Sequence, residues 1–78
     1  MNQYTIQFSC GQINYIQKFF ADYQDAFVTT NSEMISKLRA NILVKTKLQK
    51  EEAQKYLEKI FKQSKYGCAL HFSTEIVD

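Results

Sequence analysis

The chain has no proline and no tryptophan, and it holds only two glycines, Gly11 and Gly67, two cysteines, Cys10 and Cys68, and one histidine, His71. Each shortage excludes something. Two isolated glycines cannot build a glycine-rich phosphate loop. Two cysteines far apart in the chain lack both the four ligands and the close pair that a structural zinc site needs. With glycine only near the two ends, nothing divides the middle into linkers, repeats or low-complexity tracts. No apolar run nears the roughly twenty residues that span a bilayer, and Met1-Asn2-Gln3-Tyr4 carries neither the basic start nor the apolar stretch of a secretory signal. These shortages predict a cytoplasmic protein with no membrane partner and no cofactor, its two thiols reduced and mostly buried.

A surplus of one charge is missing too. Ten Lys and Arg against eight Asp and Glu leave +2, which is neither disordered nor strongly basic in character. The sign is uneven along the chain, because residues 2–31 carry only Lys18 against Asp22 and Asp25, whereas residues 32–65 hold nine of the ten cations. What is present in quantity is apolar surface, 45% of the residues, in a chain of 78. A chain this short must put nearly all of it into one core, so residues 1–78 read as a single domain without room for a large enclosed cavity.

Tyr4, Ile6, Phe8 and Cys10 alternate with polar residues, the period of a strand with one buried face. Ile13, Ile16, Phe20, Tyr23 and Phe27 then recur at helical spacing and predict a helix over 12–24. Residues 26–38 are ambiguous. Val28, Thr29 and Thr30 favour a strand over 26–31, while Ser32 before Glu33 and the pair Met34-Ile35 suits the cap of a short helix reaching Leu38. Ile42, Val44 and Thr46 alternate in a β-branched run and predict a strand over 40–47. Ala53, Leu57, Ile60 and Phe61 mark a helix over 49–64, acids at its start and lysines at its end. Gly67 is expected to stop that helix, and Cys68, Leu70 and Phe72 to begin the last strand.

The fold class expected is therefore α+β, a small antiparallel sheet with two helices on one face. If 26–31 is a strand, the leading topology is the split βαβ arrangement called ferredoxin-like. That topology makes the first and last strands antiparallel neighbours and brings Cys10 close to Cys68.

Candidate sites follow from this layout. The uncovered sheet face is expected to hold Thr5, Gln7, Ser9, Leu43, Lys45, Lys47, Ala69, His71 and Ser73, a polar and basic surface that Arg39 extends. Tyr4, Phe8 and Phe72 fall in phase with the core, so the aromatic platform on which RNA modules of this topology stack bases is missing. His71 and Cys68, three apart on a strand, point to opposite faces and make a poor thiolate-imidazole pair. Asp22 and Asp25 lie on one predicted helix, Glu51 and Glu52 are consecutive and explained by stabilising a helix start, and no catalytic cluster is visible. With eleven Phe and Tyr, some aromatics must be exposed. Tyr15 and Phe19 share a helix edge distinct from the main stripe and are the candidate anchors of a partner chain or a homodimer.

The function expected is a non-enzymatic protein-binding module, an adaptor or inhibitor, that binds through Tyr15, Phe19, Lys45 and Lys47. Its Lys, Gln, Asn, Ile and Tyr usage fits a low-GC phage or mobile element, for which covering the nucleic-acid-binding surface of a target is one such role. The alternative is a sequence-independent nucleic-acid binder using Arg39, Lys45, Lys47, Lys55, Lys59 and Lys62.

Overall fold

A computed structural model gives the fold, and it describes residues 2–65 and 67–77, the side chain of Cys68 excepted. The elements run β1 (Asn2–Cys10), α1 (Ile13–Phe20), β2 (Val28–Met34), β3 (Arg39–Thr46), α2 (Lys50–Lys62) and β4 (Phe72–Val77), with a short 3-10 turn at Gly67–Ala69 before β4. The four strands form one sheet in the order β2-β3-β1-β4, every pairing antiparallel. This is the expected α+β domain, and the first and last strands are neighbours. No helix among the described residues is long and apolar enough to cross a membrane.

The alternation in β1 and β3 sends Ile6, Phe8, Cys10, Ala40, Ile42 and Val44 to the helix-covered face, where they are buried. Ile13, Ile16 and Phe20 of α1 and Ala53, Leu57 and Phe61 of α2 close over them. Thr30 and Thr46 are buried with this set, and their hydroxyls find carbonyl acceptors. The start of α2 is fixed by its own sequence, the Gln49 N–H donating to Glu52 Oε1 at 3.3 Å.

The structure corrects some of these expectations and decides the ambiguous one. The first helix ends at Phe20, four residues short of Gln24. The hydroxyl of Thr30, on the strand that follows, lies 3.0 and 3.2 Å from the Phe20 and Tyr23 carbonyls and takes over helix-end acceptors, while the Asp25 carboxylate turns the chain toward β2. The ambiguous segment becomes a strand that continues to Met34, so no helix forms at Ser32. Seven register pairs with β3 outweigh a local cap, and the Ser32 hydroxyl instead donates to the Gln17 carbonyl of α1 at 2.9 Å.

The last strand starts at Phe72, after the 3-10 turn that takes up Cys68 and Ala69. Cys10 therefore lies opposite Phe72, not Cys68. It is buried with a free thiol, and the Cys68 side chain lies outside the described residues. Gly67 is not a left-handed helix stop, since no described glycine has a positive φ. Close approach demands it, because a Cβ there would sit 1.6 Å from the Phe61 carbonyl oxygen.

Candidate functional site

The uncovered sheet face is set by strand parity. On β1 and β3 it holds Thr5, Gln7 and Ser9 with Arg39, Asn41, Leu43 and Lys45, as expected for all but Asn41. On β4 the outward positions are Ser73, Glu75 and Val77, because Ala69 and His71 precede the strand. On β2 they are Thr29, Asn31 and Glu33. The face is consequently polar but not basic, for Arg39 and Lys45 share it with Glu33 and Glu75. Six residues of strand put Arg39 and Lys45 about 20 Å apart. Lys47 lies beyond β3 and lines a cavity of about 260 Å³ with Asp25, Phe27 and Leu48.

The helix lysines lie elsewhere. Lys55, Lys59 and Lys62 are exposed on α2, whose buried side rests on the opposite face of the sheet, and Lys62 sits 5.8 Å from the Phe72 ring centroid. The cations considered for nucleic acid are thus divided between two sides of the molecule. Aromatics follow the same division. Phe8 stacks on Phe72 at 5.5 Å inside the helix-covered layer, and no aromatic stands at an outward position of the four strands.

Of the two candidate anchors, the structure exposes one. Tyr15 is 38% exposed, whereas Phe19 is packed on the core with its ring 4.9 Å from Phe20, 5.2 Å from Tyr23 and 5.5 Å from Phe61. Phe19 widens the core stripe, and the expected Tyr15 and Phe19 patch does not form.

A different apolar patch takes its place at the end of the sheet where β1 stops. The β2-β3 hairpin closes there by Ile35 and Ser36 N–H groups both reaching the Arg39 carbonyl at 3.1 Å, and Cys10 N–H donates to the Leu38 carbonyl at 2.9 Å. Six large apolar side chains are exposed among the described residues, and four of them, Tyr15, Met34, Ile35 and Leu38, belong to this end. Leu38 is 57% exposed, and it borders an open cavity of about 610 Å³ together with Cys10, Arg39, His71 and Phe72. His71 and Cys10 both line this hollow, and the Cys68 side chain, with which His71 was compared, lies outside the described residues. Lys18, Lys37 and Arg39 are the exposed cations around the patch, against Glu33 alone. Sequence reasoning missed Met34, Ile35 and Leu38 because a helix over them would have turned its apolar side inward. The available signal was the phase of Val28, Thr30, Ser32 and Met34, which carries Met34 beyond the reach of a short α1.

At the other end of the sheet, Asp25 gathers four donors. Its Oδ1 accepts the Phe27 and Val28 N–H groups at 2.8 and 2.9 Å, and its Oδ2 accepts the Tyr23 and Tyr56 hydroxyls at 2.7 and 2.5 Å. Burial pushes the Asp25 carboxyl up, but the two hydroxyls and two N–H groups favour the charged form by more, and its pKa lies below the ordinary value. Its bond to Asp25, then burial and the carboxylate's charge, push the Tyr56 hydroxyl up to about 12, and the same causes raise Tyr23. This cluster ties the loop before β2 to α2 and has every oxygen of the carboxylate occupied, so its chemistry is structural.

Compared with protein-family models, with curated proteins and with solved structures, the chain matches none.

Proposed function

We propose that this chain is a small non-enzymatic protein-binding module, an adaptor or inhibitor working in the cytoplasm, that docks a partner protein with its β2-β3 hairpin end. One observation carries the reading: three of the six exposed large apolar side chains among the described residues, Met34, Ile35 and Leu38, stand on this hairpin beside Lys37 and Arg39, and Tyr15 is exposed on the first turn of α1 that follows β1. Exposed apolar clusters with a charged rim are the usual form of a protein interface. The occupant that fits is an apolar groove bordered by carboxylates. A second copy of the same end would set Lys37 and Arg39 against like charges, and a basic nucleic-acid-binding surface would be repelled in the same way. The element order and the strand order β2-β3-β1-β4 support the ferredoxin-like, split βαβ assignment, in which both helices lie on one face and the hairpin end is left clear. A buried free thiol at Cys10 suits a reducing compartment.

The reading is tested by capturing binding partners from host lysate after nuclease treatment with three baits. The wild-type chain and K45E/K47E should retain the same protein, and I35E/L38E should lose it while keeping its fold by circular dichroism. Loss from K45E/K47E with retention by I35E/L38E would overturn the assignment to the hairpin end. Retention of nucleic acid that falls steeply with salt would replace protein binding by phosphate binding.

A further inference from the structure

The two edges of the sheet differ in how their backbone groups are used. In an antiparallel ladder the residues of a strand alternate in which neighbour they bond. On β2 the Thr30 N–H donates to the Tyr23 carbonyl at 2.8 Å and the Val28 carbonyl accepts from Asp25 N–H at 2.9 Å, so its even-numbered residues face the outer edge. Following the pairs inward, the odd-numbered residues of β2 bond β3, the even-numbered residues of β1 bond β3, as Cys10 does at Leu38, and the odd-numbered residues of β1 bond β4. Ser73, Glu75 and Val77 are therefore turned toward β1. Phe72, Thr74 and Ile76 turn their N–H and C=O groups outward, and none of these six groups has a backbone partner among the described residues.

We propose that β4 is the pairing edge of a homodimer, two copies meeting antiparallel about a two-fold axis at Thr74 to make one eight-stranded sheet. The outward groups of Phe72, Thr74 and Ile76 set this register, because Thr74 then bonds Thr74 of the second copy and Phe72 bonds Ile76. The same register matches the side chains. On the helix-covered side Phe72 meets Ile76, both half-buried in the single chain, and on the open side Glu75 meets Ser73 rather than its own copy.

The helix layer agrees independently. Gln54 Nε2 donates to Thr74 Oγ1 at 2.9 Å, and the Thr74 hydroxyl donates to Glu58, so the middle of α2 lies level with the axis. Glu58 and Lys62 of α2 lie at this edge, against Thr74 and Phe72, and Glu51 and Lys55 continue the row at helical spacing outside the buried Ala53, Leu57 and Phe61. Across the axis the second α2 runs antiparallel, which sets Glu51 opposite Lys62 and Lys55 opposite Glu58. Two strands per helix space the helices about 10 Å apart, an ordinary packing distance. The second copy is the occupant because backbone, apolar and charged groups all match under one two-fold operation. Since the strap 23–25 already occupies the Val28 and Thr30 part of the β2 edge, a second pairing there is obstructed, and the association is expected to stop at two instead of extending as a ribbon.

Sedimentation over a range of concentration, with amide exchange read at single residues, tests this. A dimer is expected whose Phe72, Thr74 and Ile76 amides slow at least about tenfold as concentration carries the chain from monomer to dimer. E51K and K62E should each weaken the dimer about tenfold, and E51K/K62E should restore it to within about threefold of wild type. Within one helix the double change sets a like charge one turn from Lys55 and another one turn from Glu58, so recovery arises only across the axis. A chain that stays monomeric, a dimer in which the three amides exchange as in the monomer, or a double variant no better than the single ones would each overturn the proposal.

Discussion

One sheet has two edges, and this protein treats them oppositely. Along β2 the chain folds back on itself. The strap 23–25 supplies backbone partners to Val28 and Thr30, and the Asn31 side chain accepts the Ser32 N–H at 2.9 Å. Along β4 the outward groups of Phe72, Thr74 and Ile76 keep no backbone partner among the described residues. An open edge is an invitation to pair and is ordinarily blunted by charge, proline or a covering loop. Here proline is absent, so the first half of β2 is covered by loop chemistry centred on one carboxylate, and β4 has no such cover among the described residues. The difference shows that edge protection in a small domain need not come from the strand's own residues.

The comparison breaks most severely at the approach to β4. Gly67→Ala drives a Cβ into the Phe61 carbonyl, and because the neighbour is backbone it has little room to yield. A loss of about 3 kcal/mol is expected in denaturant unfolding, with the β1-β4 amides exchanging first.

Asp25→Ala is next. It strips four donors of their acceptor and should cost about 2 kcal/mol, while uncovering the β2 edge so that light scattering detects assemblies larger than those of the wild-type chain. The acid response gives the same group a second readout. The Asp25 pKa is depressed in the folded state, so the stability it adds is complete above the unfolded value of about 4 and disappears as pH falls through the lowered folded value. D25N should flatten that part of the acid limb.

Tyr56→Phe removes one of the four donors and should cost about 1 kcal/mol. The hydroxyl is raised from its ordinary range to about 12, so its contribution is complete below pH of about 10 and is lost as pH rises through about 12. The difference in stability between Tyr56→Phe and the wild-type chain should therefore close over that window, and ultraviolet titration should show one late-ionising tyrosine missing. Asn31→Ala sharpens the contrast with the smallest expected effect, about 0.5 kcal/mol or less. Its signature is faster exchange at the Ser32 amide with the fold intact.

Much of the fold was legible because its signals are local. Ile6, Phe8 and Cys10 alternate in β1, Ile42 and Val44 alternate in β3, and Ala53, Leu57 and Phe61 form a stripe in α2; each pattern predicts its own burial. The end of α1 was not legible, since Tyr23 continues the helical stripe and only the arrival of Thr30 at the helix-end carbonyls cuts it off. For β4, Cys68 to Phe72 and Phe72 to Ile76 alternate equally well, and the close packing of Gly67 on Phe61 decides between them. The candidate site suffered from the same cause. Lys45 was placed correctly on the open face, but Glu33 and Glu75, which keep that face from being basic, come from strands whose register the sequence left open.

By itself the sequence determined the class of this protein: a mixture of strands and two main helices, which faces of those elements are apolar, and a core that consumes most of its aromatics. Those properties follow from side-chain periodicity, which each segment carries alone. Only the tertiary structure decided where segments stop, which backbone groups stay unpaired and which apolar side chains remain in water. These depend on contacts between residues distant in the chain, so the hairpin end and the open β4 edge, the two surfaces on which function is proposed here, come into view only once the sheet is assembled.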